Sequence, residues 1–358
     1  MLKPFTTHTM DVKKMPTIKD IANLTGFSVT TVSRALNGYH DVSEQTKEKI
    51  ETAAEKIGYV PNILAQNLVM QKSKTVGILV NELKRESAKD NFTFEMLCGV
   101  NDALAESDYE FVLLSTSTAK QKNKTFTQLC EERQLAGVII QGLKSDDKYL
   151  EEIAHSNVPC VLIDILITNE TTRYVTSNQT NSIKDAIKYL RRLGHQAIAY
   201  MNGSEAAHVS SIRQQGYLDA LKEIDIPVQK NYMINGHYDE DTARGVATSF
   251  LINNPEVTAM FCASDVMAIG VLSAARALGI KVPEQLSIIG FDDIVLSRYT
   301  TPPLTTIAQS PHRMATCATK LLTSMIEDKQ EKTPFKLINT ELIIRESTTF
   351  RRQSTSGD

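Results

Sequence analysis

The sequence is poor in the residues and motifs on which most chemical functions depend. It has no tryptophan and only five cysteines, which are scattered without a CxxC pair. We therefore expect free thiols in a reducing compartment. The phosphate-binding loop, the GxGxxG fingerprint, the GxSxG elbow and the HExxH helix are all absent, and the seven histidines are dispersed. These absences argue against an enzyme and predict neither a cofactor nor a metal site.

Long apolar runs are missing too. No segment is apolar and long enough to cross a bilayer, and residues 1–16 lack the apolar stretch of a signal peptide. We therefore expect a cytoplasmic protein without membrane contact. The formal net charge is only -3 over 358 residues, so the overall charge does not indicate a strongly acidic or strongly basic binding partner. This length exceeds the usual limit for one hydrophobic core and predicts two or three domains.

Near the amino terminus, the sequence carries the pattern of three short helices. Thr17 with an acid three positions later predicts one helix start, and Ser28 and Ser43 predict two more. Apolar residues fall on one face of each helix: Ile18, Ile21 and Ala22, then Val32, Ala35 and Leu36, then Ile50, Ala53, Ala54 and Ile57. Because a glycine-containing turn separates the first two, they predict a helix-turn-helix, whose second helix can lie in the major groove.

Four segments of this region, in this order and spacing, resemble the lactose-repressor/galactose-repressor family of bacterial transcription regulators. They are TIKDIA (17–22), VTTVSRALNG (29–38), VS (42–43) and GYVPNILAQNL (58–68). The resemblance implies an all-α helix-turn-helix head joined to a two-lobed α/β core like that of periplasmic binding proteins. The alternative, a small helical bundle without a ligand, leaves residues 61–68 unexplained.

DNA contacts are assigned by the resemblance and by residue type. The predicted set is Thr17, Ser28, Val29, Thr30, Thr31, Ser33, Arg34, Asn37, Asn62, Ala65 and Leu68. Arg34 is expected to address a guanine, and Val29 or Thr30 a thymine methyl group or the backbone. The resemblance makes residues 61–74 a hinge helix and linker, in which Leu68 wedges a base step open. The alternative is that Leu68 is only a linker residue that touches the next domain.

The predicted head carries a small positive surplus. Residues 13–72 hold eight lysines and arginines against six acidic residues, a net of +2, so the remainder of the chain is acidic by about five. Because so small a surplus attracts phosphates weakly, useful binding requires two copies and direct base contacts. We therefore expect a homodimer on a near-palindromic operator in double-stranded DNA.

Beyond the head, short apolar runs alternate with helical patterns. The runs are 75–80, 111–114, 137–140, 158–163, 197–201, 257–262 and 286–290. This rhythm predicts parallel, doubly wound sheets, and a length of about 270 residues favours two of them. In the family resembled, the chain crosses three times between two lobes that clamp an effector.

The domain boundaries follow from these patterns. Crossings are expected near residues 174, 300 and 335. The predicted divisions are a disordered extension (1–16), the helix-turn-helix domain (17–60), the hinge and linker (61–74), a core (75–346) and a tail (347–358). Within the core, lobe one is predicted to span about 75–174 and 300–334, and lobe two about 175–299 and 335–346.

Ligands of open parallel sheets bind beyond the carboxyl ends of the strands, so strand-to-helix junctions are the place to look. The resemblance assigns effector contacts to Phe92, Arg213, Ser264, Asp265, Asp292 and Gln309. The planar guanidinium of Arg213 suits adjacent hydroxyls or a carboxylate, and the Asp265 carboxylate can accept two sugar hydroxyls. The alternatives are a solvent-facing Arg213, an Asp265 that complements a helix N-terminus, and a Phe92 that only staples the following helix.

Together these patterns predict a transcriptional repressor controlled by a small-molecule effector. A sugar or sugar derivative is the first expectation for the effector. The alternatives are a nucleoside or purine, and a protein that acts as a corepressor. A periplasmic-type sugar receptor without a regulatory role is disfavoured because it would need a signal peptide and would not carry the head.

Overall fold

The computed structural model describes residues 16–59, 73–81, 83, 91–329 and 333–351. The chain divides into two compact units, Met1–Ser73 and Lys74–Asp358. The predicted hinge residues Asn62, Ala65 and Leu68, and the extension before Pro16, lie outside the described residues. Within the described ranges, the helices are too short or too polar for any of them to cross a bilayer.

The first unit contains the three predicted helices, α1 (Ile18–Thr25), α2 (Val29–Leu36) and α3 (Glu44–Ile57). The N–H and the hydroxyl of Thr17 each donate to the Asp20 carboxylate at 2.7 Å. Ser28 Oγ accepts the Thr31 N–H at 3.0 Å and Ser43 Oγ accepts the Thr46 N–H at 3.3 Å. All three predicted helix starts are therefore confirmed. Ser28 and Ser43 each accept a backbone N–H that has no partner within the helix, and Thr17 is tied to Asp20 in the first turn of α1.

The helices enclose a small core of their own. The residues predicted to point inward make it: Ile21, Ala22, Val32, Ala35, Ile50 and Ala54 are buried, and Ile18, Leu36, Ala53 and Ile57 pack against them. Gly26 ends α1 with a φ of 75°, a left-handed conformation that a glycine adopts without strain. Burial on one side of α2 leaves its other side free for a partner.

The second unit contains two six-stranded sheets, and the first defines lobe one. Its order is β11-β5-β4-β3-β1-β2, with every neighbouring pair parallel. The strands are β1 (Thr75–Asn81), β2 (Glu110–Thr116), β3 (Leu135–Gln141), β4 (Cys160–Ile163), β5 (Thr172–Ser177) and β11 (Phe335–Ile338). The helices of this lobe are α4 (Phe92–Leu104), α5 (Thr118–Gln121), α6 (Phe126–Glu132), α7 (Lys148–Ala154) and α12 (Pro311–Ile326).

Lobe two is built on the second sheet, whose order is β12-β10-β9-β8-β6-β7. Its strands are β6 (Ile198–Asn202), β7 (Met233–Asn235), β8 (Ala259–Cys262), β9 (Ser287–Asp292), β10 (Thr305–Ala308) and β12 (Glu341–Ile343). Its helices are α8 (Gln179–Arg192), α9 (His208–Glu223), α10 (Glu240–Asn253) and α11 (Asp265–Ala277). Only β12 runs antiparallel to its neighbour among the described strands. The predicted class, a helical head plus two doubly wound sheets, is confirmed.

The predicted crossing points need correction. The chain passes between the sheets after β5, after β10 and after β11, so the crossings fall near residues 178, 309 and 339. Residues 300–308 therefore belong to lobe two and residues 335–338 to lobe one, the reverse of the prediction. The reason is long-range pairing, because β10 lies beside β9 whereas β11 lies beside β5.

Candidate DNA-reading surface and interlobe site

The open face of α2 carries the residues predicted to read bases. Val29, Thr30 and Arg34 are exposed, whereas Val32 and Ala35 on the opposite face are buried. Thr30 and Arg34 lie four positions apart and form a stripe along one face of the helix, and Val29 lies beside Thr30 at the start of the helix. An exposed surface that combines an apolar, a hydroxyl and a guanidinium group can contact base edges in a major groove.

Other residues predicted to contact DNA form the ends of α2. The hydroxyls of Ser28 and Thr31 lie 2.8 Å apart at its start. At its end, Asn37 Nδ2 donates to the Ser33 carbonyl oxygen at 2.8 Å. Thr17 is exposed at the start of α1. These residues have structural roles at helix ends, and their contact with DNA stays a prediction.

Between the lobes, Arg213 occupies the centre of a buried polar site. Its side chain on α9 is only 3% exposed, so a solvent-facing arginine is ruled out. Nε donates to Gln179 Oε1 at 2.7 Å, Nη1 donates to the Ala263 carbonyl oxygen, and the guanidinium carbon lies 3.8 Å from the centre of the Phe291 ring. Nη2 lies 3.7 Å from Asp292 Oδ1. The guanidinium is thus fixed on several sides at the carboxyl ends of the lobe-two strands.

The polar site extends from Arg213 into lobe one by two routes. In the first, Gln309 Nε2 donates to Asp292 Oδ1 at 2.6 Å, and Gln309 Oε1 accepts the Ser177 hydroxyl at 3.1 Å. In the second, Gln179 Nε2 donates to Asp164 Oδ1 at 3.4 Å. Ser177 is the last residue of β5 and Asp164 directly follows β4, and both strands belong to lobe one. These hydrogen bonds therefore change when the lobes move relative to each other.

Asp164 is a site residue that the sequence reasoning missed. Burial raises the pKa of its carboxyl, and Thr176 Oγ1 donates to it at 2.7 Å. Its φ of 58° and the φ of 111° at Asp292 are left-handed values that non-glycine residues adopt at an energetic cost, and such strain clusters at functional sites. The available signal was an aspartate directly after the apolar run of β4, at the carboxyl edge of the lobe-one sheet.

The lobes also touch away from the crossing strands. Ser145, which follows β3 in lobe one, donates its N–H to the carbonyl oxygen of Ala206 at 2.9 Å. Ala206 lies just before α9 in lobe two. On the lobe-two side, the Tyr238 hydroxyl lies 3.0 Å from Ser210 Oγ, and its ring covers Gly203 so closely that a Cβ there would overlap the ring. Tyr238 and Gly203 are therefore a matched pair at the site, neither of which the sequence analysis identified.

The predicted role of Asp265 differs from what the structure shows. The side chain has no exposed surface; Oδ2 accepts the Ile294 N–H at 2.9 Å and Oδ1 accepts the Thr306 hydroxyl at 2.6 Å. A Cβ at Gly290 would overlap Oδ1, so the carboxylate is packed against β9. In this arrangement Asp265 braces the lobe-two sheet, and its contact with an effector stays a prediction. Ser264 is likewise occupied, because its Oγ caps α11 by accepting the Met267 N–H at 3.3 Å.

Phe92 lies at the start of a helix, as expected if it only staples that helix to the core. It is the first residue of α4, and its half-buried ring packs against the core of lobe one. Asn91 before it has a φ of 55°, and Thr93 after it accepts from Gln141 at 3.4 Å. The packing favours the stapling role, and the stacking of Phe92 on an effector ring stays a prediction. Asp90 lies outside the described residues.

The burial of Asp265 leads to a pH prediction. Desolvation raises the pKa of this carboxyl well above its usual value, so the folded chain holds the proton more tightly than the unfolded chain. Stability from this group is therefore present at low pH and is lost as pH rises toward the folded pKa. Relative to Asp265→Asn, which mimics the protonated acid, the wild type should lose stability as pH rises from about 4, the ordinary pKa of an aspartate, toward the folded pKa, by at most about 1.4 kcal/mol per pH unit.

Urea denaturation of both proteins, followed by circular dichroism across that range, measures the difference. The comparison cancels the titrating groups that do not interact with Asp265, including His195 and His208, whose pKa values burial lowers. A constant difference between the two proteins at all pH values would show that Asp265 is ionised in the folded chain, as it is in the unfolded chain.

The fold and the two sites define a class of protein. A helix-turn-helix head joined to a two-lobed core with a buried polar site between the lobes is a ligand-responsive DNA-binding regulator. Residues 17–62 match "Bacterial regulatory proteins, lacI family", and residues 187–348 match "Periplasmic binding protein-like domain".

Similar proteins cover nearly the whole chain. The chain is 35% identical over 335 residues to the "Probable HTH-type transcriptional repressor ExuR" of Bacillus subtilis (strain 168), covering 93% of this chain and 98% of that one. It is 32% identical over 333 residues to the "HTH-type transcriptional repressor PurR" of Vibrio parahaemolyticus serotype O3:K6 (strain RIMD 2210633), covering 92% and 98%. The chain belongs to the LacI family of bacterial regulatory proteins: it is a DNA-binding transcriptional repressor and not an enzyme.

Two solved structures of similar regulators have the same fold over nearly the whole chain. A "transcriptional regulator CelR-cellobiose complex" is 28% identical with a TM-score of 0.72, covering 93% of this chain and 99% of that one. The lac repressor dimer bound to operator and the anti-inducer ONPF is 25% identical with a TM-score of 0.79, covering 94% and 100%.

Proposed function

We propose that the protein represses transcription as a homodimer, in the cytoplasm, and that a sugar or sugar derivative bound between the two lobes controls its grip on a near-palindromic operator. The observation that carries this proposal is the position of Gln309. It lies at a crossing between the lobes and hydrogen-bonds Asp292 in lobe two and Ser177 in lobe one. A ligand that competes for these groups alters the connection between the lobes directly.

The chemistry of the site supports a polyhydroxylated ligand. Arg213, Asp292, Asp164 and the amides of Gln179 and Gln309 supply donors and acceptors within one connected network. Hydroxyl groups that both donate and accept can replace links of such a network without leaving a buried group unpaired. A cellobiose complex and an operator-bound dimer among the similar structures support the same ligand class and assembly.

In this mechanism the ligand biases two arrangements of the lobes. It shifts their equilibrium only by the difference in its affinity for each arrangement. In a dimer, a change in lobe closure alters the distance between the two heads, and hence the match to two half-sites about one helical turn apart. The coupling between the ligand and DNA then amounts to about 1–3 kcal/mol.

Thermal denaturation of the purified full-length chain tests the ligand class. The panel contains neutral sugars, sugar acids, sugar phosphates, nucleosides and purines. A ligand at about one hundred times its dissociation constant stabilises the folded chain by about 2.7 kcal/mol. We expect a member of the sugar arms to raise the melting temperature. A response confined to nucleosides or purines would contradict the proposed class.

A substitution locates the ligand. Gln309→Ala should remove most of the stabilisation by the sugar, because it deletes the link between Asp292 and Ser177. Gln215→Ala is the matched control: Gln215 is exposed on α9 and bonds Asp219 on the same helix. An equal shift in both variants would place the ligand elsewhere.

A further inference from the structure

Arg34 on the reading helix is held from two sides. Its Nη2 lies 2.5 Å from Asp41 Oδ2, and its guanidinium carbon lies 5.1 Å from the centre of the Tyr39 ring. Both partners belong to the turn that joins α2 to α3. The guanidinium is therefore oriented within the head itself, by an ion pair and by a cation–π contact.

The held guanidinium borders a groove on the head. The groove has a volume of about 380 Å³ and is lined by residues that include Ser28, Thr30, Thr31, Arg34, Asp41 and Ser43. The starts of α2 and α3 thus frame the same space that Arg34 and Asp41 enter. Because Thr30 on the reading stripe also lines it, the groove is continuous with the surface that meets base edges.

The ion pair is poorly suited to a purely structural role. The side chains of Arg34 and Asp41 are 46% and 53% exposed, and ion pairs that exposed contribute little to stability. A carboxylate on this face also repels the phosphates that the head, with its surplus of only two positive charges, must approach. Asp41 thus weakens the non-specific attraction of the head to DNA. A carboxylate at this position is useful if it improves discrimination between base sequences.

We propose that Asp41 is a positioning residue that aims Arg34 at a guanine and keeps it from binding backbone phosphates instead. This inference rests on the proposed function of the head in reading DNA. A guanidinium has five N–H donors in a rigid fork, so one edge can pair with Asp41 while another addresses O6 and N7 of guanine. Phosphates occur at every position of the backbone, and an unrestrained arginine binds them without regard to sequence.

The experiment selects bound duplexes from a pool with a randomised two-fold symmetric site, using the full-length chain. Binding to poly(dA-dT), which has no guanine, measures non-specific affinity in parallel. The proteins compared are wild type, Arg34→Ala, Asp41→Asn, Asp41→Glu and Glu44→Gln. Glu44 is the control because its side chain is 88% exposed and pairs with Lys47 at 2.7 Å, and its neutralisation removes the same charge without touching Arg34.

We expect Arg34→Ala to lose a guanine preference at one position of each half-site. Asp41→Asn should weaken the preference at that position by about tenfold, within the range for a bidentate arginine–guanine contact, and should bind poly(dA-dT) more tightly than wild type. Asp41→Glu should restore part of the preference. Glu44→Gln should keep the wild-type preference at every position.

Three results would overturn the inference in distinguishable ways. If Arg34→Ala loses the guanine preference and Asp41→Asn keeps it, Arg34 reads DNA unaided and Asp41 has no positioning role. An equal loss in Asp41→Asn and Glu44→Gln would mean that charge alone is responsible. If the wild type selects no sequence at all, the proposed function of the head fails, and this inference fails with it.

Discussion

Arg213→Ala should abolish the response to the effector and destabilise the core by about 3–5 kcal/mol, the cost of removing one partner from a buried charged pair. The substitution leaves Gln179 without its donor and Asp292 without its nearby cation. It also uncovers the face of the Phe291 ring, over which the guanidinium lies. Each of these groups is in the interior of the site, where lost hydrogen bonds are not replaced by water without a cost.

The matched control is Arg298→Ala in the same lobe. Arg298 pairs with Asp293 at 3.3 Å, but its side chain is 63% exposed, so its removal should cost less than about 1 kcal/mol. Urea denaturation followed by circular dichroism compares the two variants. Equal destabilisation by both substitutions would contradict the assignment of Arg213 as the buried centre of the interlobe site.

Gly270→Ala should destabilise lobe two by about 2–3 kcal/mol, whereas Gly245→Ala should stabilise it. Both glycines lie inside helices, Gly270 in α11 and Gly245 in α10, and these helices pack together. A Cβ at Gly270 would overlap the Glu240 carbonyl oxygen and lie 3.0 Å from Ala243 Cβ, so the helices must separate. A Cβ at Gly245 meets nothing within 4 Å, and alanine is favoured over glycine in a helix by about 1 kcal/mol.

The shift in the urea midpoint of each variant, relative to wild type, gives the measurement. The opposite signs are the informative part, because helix propensity alone favours alanine at both positions. If both variants were stabilised, the close packing of α10 on α11 would be incorrect.

Much of the head follows from local rules. Ser28 and Ser43 mark helix starts because a hydroxyl there satisfies a free backbone N–H, and the apolar residues of each helix recur at helical spacing. Both signals lie within a few residues of the structure that they specify. The longer strands of the core were predictable in the same way, since buried parallel strands are continuous apolar runs.

The division into lobes was less predictable because it depends on pairing between distant residues. β10 contains Thr305 and Thr306, and β11 contains Lys336, so neither strand has the apolar pattern of a buried parallel strand. Their sheets are decided by partners far away in sequence; Phe335 pairs with Tyr174 and stacks on it at 5.1 Å. No local pattern carries that information.

The candidate site divides along the same line. Arg213 was predictable from its motif, but the orientation of Asp265 was not, because its hydrogen-bond donors, Ile294 and Thr306, lie 29 and 41 residues away. An aspartate after a strand can turn toward a ligand or toward its own sheet. Residue type and position alone do not distinguish the two.

A ligand bound between the lobes should change the affinity of the dimer for DNA. The most direct measurement is the affinity of the full-length protein for its selected duplex at fixed salt, with and without a saturating amount of the sugar that stabilises it. We predict a change of about tenfold, within the range for coupling between two sites, and an equal change in sugar affinity when DNA is bound. Identical DNA affinities with and without the bound sugar would contradict the account.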